Sequence, residues 1–172
     1  MVSWIPPIYS NDIERYNAIA QNVIEVVLDP SELPLFKGPN GRVKTVLQVL
    51  AIASFESNFR EDIGNGRTRG KAGDTCWMQI VIPEGKRIVL TKDKYQWSRT
   101  EGITAEDLAD SKTCFRVALH MMRESISICH DLSLYTSGKC NHDIKAKYRE
   151  FRATQYFVKH PFDVLDSALF SQ

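Results

Sequence analysis

The chain has 172 residues, 43% apolar and 25% charged, a balance that reads as globular and soluble rather than disordered and suggests one domain with a sizeable core. Its 22 Lys and Arg against 21 Asp and Glu leave a formal charge of +1, which gives no support for wholesale nucleic-acid or membrane-surface binding. No window reaches the roughly 18 consecutive apolar residues of a membrane span, and there are no internal repeats or low-complexity segments.

Taken in order, MVSWIPPIYSND has neither a basic n-region nor a long apolar h-region, so it does not read as a secretory signal. Residues 1–10 read as an extended N-terminal arm, with Trp4, Ile5 and Ile8 around Pro6 and Pro7. Residues 11–172 read as a single domain. Asn11 and Asp12 offer a cap for a first helix. Ile13, Tyr16, Ile19, Ala20, Val23, Val26 and Val27 recur at helical spacing, and Asp29-Pro30 stops them. A Pro- and Gly-rich loop over 31–41 follows.

The next stretch, 43–59, reads VKTVLQVLAIASFESNF. Val43, Val46, Leu47, Leu50 and Ala53 form a helical stripe, and Val49, Ile52 and Phe55 widen it to most of the circumference. A helix apolar nearly all round is a buried, central one, predicted here over about Arg42 to Phe55. Glu56 sits at its exit, where desolvation raises a carboxyl pKa above the ordinary value of about 4.3. A proton-holding Glu is what acid-catalysed glycosidic cleavage requires. The plain alternative is a helix-end Glu that turns into solvent.

Residues 60–75 are a glycine-rich loop. Its GxGxxxG spacing follows a helix and does not fit a dinucleotide or phosphate fingerprint. Cys76 to Ile82 is short and apolar, a short strand or one helical turn. Residues 83–103 read as polar and irregular, with an aromatic pair at Tyr95 and Trp97. Thr104-Ala-Glu-Asp caps a short helix. A longer helix follows over 112–130, striped by Phe115, Ala118, Leu119, Met122, Ile126 and Cys129. His120 and Arg123 lie off that stripe and read as solvated. Residues 132–140 form a turn segment, and a last helix is expected over 143–158. The expected class is mainly α with little or no β-sheet.

Four cysteines, Cys76, Cys114, Cys129 and Cys140, permit two disulfides or a set of free thiols, with connectivity open. A zinc site from Cys129, His130, Cys140 and His142 is a further option, although the spacing matches no common zinc module. The histidines are otherwise scattered, and no metal or organic cofactor is implied.

Three motifs occur in order. Ser54-Phe55-Glu56-Ser57-Asn58-Phe59 resembles the "ES" motif of lytic transglycosylases and goose-type lysozymes. Trp77-Met78-Gln79-Ile80 resembles their "G-L-M-Q-I" segment, and Leu134-Tyr135-Thr136-Ser137-Gly138 their "Y-N-A-G" segment. The likeness covers about residues 43–155. It implies a lysozyme-like helical domain with a substrate cleft that cuts the bond between MurNAc and GlcNAc in peptidoglycan. Glu56 would be the general acid, with Ser57 contacting substrate or steadying Glu56, Gln79 offering its amide to sugar N-acetyl groups, Met78 and Asp74 among the substrate-binding residues, and the Tyr135 hydroxyl near Glu56, where it helps set the protonation. The alternatives are a Ser57 hydroxyl capping its own turn, a Gln79 facing outward, and a Tyr135 packed in the core.

A branch of transglycosylase-like proteins with cysteines at similar places implies the pairings Cys76–Cys114 and Cys129–Cys140. Three departures stand out. Cys76 replaces the motif glycine, and Thr136-Ser137 replace Asn-Ala. Val81 occupies the place where goose-type lysozymes often carry an Asp. That last change favours the transglycosylase route, which needs one Glu, over a hydrolase with a second carboxylate. Asp74 is the best remaining second carboxylate, or else a turn residue. Glu61 and Asp62 read as solvated. The resemblance, with no signal segment, points to a virion-carried or phage-encoded lysin acting on the cell wall. The N-terminal arm would then contact other virion proteins. A non-enzymatic, wall-binding virion component is the alternative of a different class.

Overall fold

The computed structural model of the chain describes residues 13–140. The arm at 1–10 and the helix expected over 143–158 lie outside the described residues. The elements in order are α1 (Ile13–Leu28), α2 (Gly41–Ser57), a single turn α3 (Glu61–Gly64), strands β1 (Arg87–Leu90) and β2 (Tyr95–Ser98), a 3₁₀ turn Asp107–Ala109, α4 (Ser111–Cys129) and α5 (Ser133–Ser137). The described chain is mainly helical with one two-stranded sheet. None of its helices is long and apolar enough to cross a membrane.

Helix α1 packs on both α2 and α4. Its Val23, Val26 and Val27 are buried, as the stripe requires. Along α2, Val46, Leu47, Val49, Leu50, Ala51, Ile52 and Ala53 are all buried. The helix is open at its two ends, where Val43 is 38% and Phe55 53% exposed. The placement of Phe55 in the buried circumference is thus corrected: it lies in the last turn, where the helix has already left the core. Arg42, in the first turn of α2, donates to the carbonyls of Val27, Asp29 (3.2 Å) and Glu32 (3.0 Å). It thereby satisfies oxygens that the end of α1 leaves without a helical partner.

The expectation that His120 and Arg123 are solvated is overturned. His120 is 2% exposed and Glu32, in the α1–α2 connection, is 5% exposed. Glu32 accepts from His120 Nε2 at 3.0 Å, from Arg123 at 2.7 Å and from Arg116 Nε at 3.2 Å. His120 Nδ1 lies 3.1 Å from the Lys94 carbonyl. Both ring nitrogens thus lie within hydrogen-bond distance of an oxygen. Arg123 also donates to the Lys92 carbonyl at 3.0 Å. Hydrophobic periodicity missed these residues because a polar side chain on the margin of a stripe can be buried once a charge from another element meets it.

Lys92 and Lys94 belong to the turn between β1 and β2, in the stretch expected to be irregular. The strands pair antiparallel, with Ile88 opposite Trp97 and Leu90 opposite Tyr95. Ile88 also exchanges both backbone bonds with Ile103, at 2.9 and 2.8 Å. Gly102 (φ +107) permits this approach, since a Cβ there would lie 2.5 Å from the Ile88 carbonyl oxygen. Four-residue strands carry too short a pattern to read as alternation. Their turn is nailed to α4 by His120 and Arg123.

Burial pushes the Glu32 carboxyl upward, but the hydrogen bond from His120 and the charges of His120, Arg123 and Arg116 together hold it below the usual range. A depressed folded-state value means the stabilisation is complete above the unfolded value of about 4.3 and is lost as pH falls through the lower folded value. Glu32→Gln is expected to cost about 3 kcal/mol near neutral pH, because it strands buried cations. Denaturant melts at stepped pH should show this loss together with a shallower decline of stability below about pH 4.

Candidate active site

Helix α2 ends on a sharp turn. Asn58 (φ 50) and Phe59 (φ 51) both adopt the left-handed conformation, and the Asn58 N–H bonds to the Ser54 carbonyl at 3.0 Å. Two successive non-glycine residues in that region cost energy. Burial of Phe59, 1% exposed, and its edge-on contact with Tyr16 at 4.9 Å offset it. Ser57 completes the turn. Its hydroxyl donates to the Ala53 carbonyl at 2.8 Å and accepts from the Phe59 N–H at 3.2 Å. The expected substrate contact by Ser57 is replaced by this capping role, since the residue is 1% exposed and its hydroxyl is committed to the backbone. Glu56, one residue earlier, is partly exposed and lines a pocket.

The facing wall is the segment Thr75 to Ile80. Thr75 and Ile80 exchange backbone bonds at 3.0 and 2.9 Å, closing a four-residue loop. This is neither the strand nor the helical turn expected. Cys76 (φ 63) and Gln79 (φ 49) are both left-handed. The departure from the motif glycine at Cys76 therefore keeps a backbone conformation that glycine adopts most easily.

Several ties hold the loop. Cys76 is joined to Cys114 of α4 with Cα atoms 6.2 Å apart. Trp77 Nε1 donates to Ser111 Oγ at 2.9 Å. The indole also lies against Gly64, where a Cβ would come within 2.2 Å of the ring, so no larger residue fits there. The second disulfide joins Cys129 to Cys140 and closes the α4–α5 segment. Both pairings implied by the resemblance are present. The Cys129–Cys140 bond also removes the thiolates on which the zinc option depends. Among the described residues no group of three His, Cys, Asp or Glu could hold a metal ion.

The pocket has a volume of about 560 Å³, and Glu56, Asp74, Met78, Gln79 and Tyr135 all line it. Met78 is 1% exposed, set flush in the wall. The Gln79 amide nitrogen donates to the Cys76 carbonyl at 3.0 Å, which leaves the amide oxygen as its remaining acceptor. Tyr135 is on α5, where its N–H bonds to the buried Ser125 hydroxyl at 3.2 Å. Its own hydroxyl donates to the Met78 carbonyl at 2.6 Å. Burial, and after it the charge of Glu56, push the Tyr135 phenol well above its ordinary value, so it stays a neutral donor beside the carboxylate. Asp74 accepts from the Ala72 N–H at 3.2 Å, the turn role foreseen for it, while still lining the pocket. Glu61 is solvated as expected. The Asp62 side chain is exposed too, and it accepts from Arg60 and Thr68 at 2.6 and 2.8 Å.

Comparison with protein-family models, curated proteins and solved structures finds no match, so the functional reading rests on the chain's own residues.

Three further lining residues were not singled out as site residues: Glu124 of α4, and Tyr95 and Trp97 of β2. The aromatic pair was visible in the sequence, but nothing local said that a hairpin would carry it to the pocket. Glu124 had no signal at all, because only the packing of α4 turns it toward Tyr95.

Closure of the 38-residue separation by Cys76–Cys114 is expected to stabilise the chain by about 4 kcal/mol on loop entropy. The backbone conformation gives a finer test. In a Cys114→Ala background, Cys76→Gly should be about 1 kcal/mol more stable than Cys76→Ala, because only glycine holds the left-handed conformation without cost. Equal melts for the two variants would show that the loop relaxes once the disulfide is gone.

Proposed function

We propose that the chain is a peptidoglycan-cleaving lytic transglycosylase with a lysozyme-like fold, acting on the β-1,4 bond between MurNAc and GlcNAc. The observation that carries this reading is the convergence of three sequence motifs, distant in the chain, on one pocket. Glu56 from α2, Met78 and Gln79 from the pinned loop, and Tyr135 from α5 line the same pocket, and Tyr135 bonds the loop directly.

In the proposed reaction, Glu56 in its acid form gives its proton to the glycosidic oxygen. The bond from that oxygen to C1 of MurNAc breaks, and GlcNAc leaves with a free 4-hydroxyl. The MurNAc N-acetyl group supports the positive charge that develops at C1. The Glu56 carboxylate then takes the proton of the C6 hydroxyl as that oxygen closes on C1. The product is a 1,6-anhydro ring, no water is consumed, and Glu56 regains its proton. Tyr135, kept neutral, supplies a fixed dipole near the carboxylate, and the Gln79 amide oxygen is an acceptor for an N-acetyl N–H.

A hydrolytic, muramidase outcome is the second reading. It is favoured by two additional carboxylates in the pocket lining, Asp74 and Glu124, either of which could orient a water. Asp74 accepts from a backbone N–H of its own turn and Glu124 is hydrogen-bonded with Tyr95; Glu124 sits on the long helix α4 and Asp74 on a loop. The setting proposed for this chemistry is a virion-carried or phage-encoded lysin meeting the cell wall.

Glu56→Gln is close to isosteric but carries no proton to give. It should lower the rate of peptidoglycan solubilisation by at least about 10³-fold without changing the melting temperature by more than a few degrees. Clearing of a purified peptidoglycan suspension by the native chain and by this variant checks it. Undiminished clearing by the variant would remove Glu56 from the chemistry. Sedimentation with peptidoglycan without clearing by either protein would mark a wall-binding component instead.

A further inference from the structure

The mechanism above uses α2, the Thr75–Ile80 loop and α5. The pocket has a further wall, β2, with a different chemistry. On β2, Tyr95 and Trp97 share one face, two residues apart. Their cross-strand partners Leu90 and Ile88 are on that face too. Ile88 is fully buried and belongs to the core, so this face points inward. Trp97 is nevertheless 42% exposed and lines the same pocket as Glu56. A large aromatic ring on the inward face of a sheet, left uncovered at the rim of a pocket, is surface held open to something.

The strand that carries the ring is also held still. Tyr95 meets Trp97 edge to face, with centroids 5.6 Å apart and planes at 89°. Burial, then the charge of Glu124 and a hydrogen bond with it, push the Tyr95 phenol up to about 12, so Tyr95 is a neutral side chain anchored to α4. The hairpin turn is fastened to α4 as well, by Lys94 to His120 and Lys92 to Arg123. On its other side β1 is bridged to Ile103. An indole presented from a strand and a neighbouring ring fixed in this way has less freedom to lose when something stacks on it.

We propose that Trp97, braced by Tyr95, is a stacking subsite for one pyranose ring of an N-acetylated hexosamine oligomer, beyond the Glu56 end of the pocket. The proposal rests on the glycan-cleaving reading above and names how that glycan is gripped. One face of a β-linked hexosamine ring carries axial C–H bonds and is apolar. It meets the electron-rich face of an indole favourably while the equatorial hydroxyl and N-acetyl groups stay at the rim, in water or against polar groups such as Glu124. The subsite therefore adds binding to substrate and transition state alike. It acts on KM and not on the chemical step at Glu56.

The test uses the full chain and a soluble probe, the β-1,4-linked tetramer of N-acetylglucosamine. Binding is measured by titration calorimetry on Glu56→Gln, which cannot turn the probe over. Adding Trp97→Ala to that protein should weaken binding about tenfold, and Trp97→Phe, which keeps a ring, should recover part of the loss. In the active chain, Trp97→Ala should raise KM on peptidoglycan with kcat nearly unchanged. Near-ultraviolet circular dichroism and the melting temperature confirm that each variant is folded. Equal affinity with and without the indole overturns the subsite, as does a fall in kcat at constant KM. If the tetramer does not bind at millimolar concentration, the subsite is also overturned. Clearing of peptidoglycan by the native chain then decides separately whether the Glu56 reading stands.

Discussion

Helix α2 is desolvated along nearly its whole middle, and α1, which packs on both α2 and α4, ties that buried helix to the rest of the described chain. A helix whose sides are covered by apolar contacts has its water-facing positions only at its ends. In α2 the exposed positions are Val43 and Lys44 near its start and Phe55 near its finish. The finish is where a carboxylate can reach a pocket while the backbone carrying it stays fixed. The turn through Asn58 and Phe59 then takes the chain away at once, and the Phe59 ring locks it by packing under α1. Burial of its neighbours thus fixes the backbone that carries Glu56.

The opposite wall follows a different logic. A loop of four residues with two left-handed backbones has little intrinsic preference for its shape. It keeps that shape through covalent and polar ties that reach separate elements: a disulfide and an indole hydrogen bond to α4, and a tyrosine hydroxyl from α5. This is a cross-braced loop, suited to present Met78 and Gln79 at constant geometry. The Glu32 cluster does for the hairpin what the disulfide does for the loop, since His120 and Arg123 reach from α4 to the turn carbonyls and back to the α1–α2 connection. Both walls therefore refer to α4, which makes that helix the frame and α2 the part that carries the acid.

How much of this could be read in advance depended on the range of the interaction. Helices α1, α2 and α4 are legible because burial repeats along them every three to four residues, whereas the Asp110 cap of α4, through the Thr113 N–H at 2.8 Å, is seen only in the structure. Glu56, Gln79 and Tyr135 were legible as motif positions. The hairpin was not, because its strands are four residues long and its register depends on Ile103. Nor was the burial of His120 and Arg123, since the charge that makes burial tolerable, Glu32, lies 88 residues from His120 and 91 from Arg123. For Ser57 the sequence leaves two roles open, substrate contact and capping of its own turn, and the local need to close a helix takes its hydroxyl first.

The central claim is that one glutamate serves as both acid and base and that the sugar's own C6 hydroxyl replaces water. Mass spectrometry of the soluble products from purified peptidoglycan tests this most directly. The account predicts muropeptides ending in 1,6-anhydro-MurNAc, 18 mass units lighter than the hydrolytic products, the mass of the one water not added, on the order of the whole soluble yield. Reducing MurNAc ends in their place would contradict it and transfer the second catalytic role to a carboxylate across the pocket, with Glu124 the first to replace.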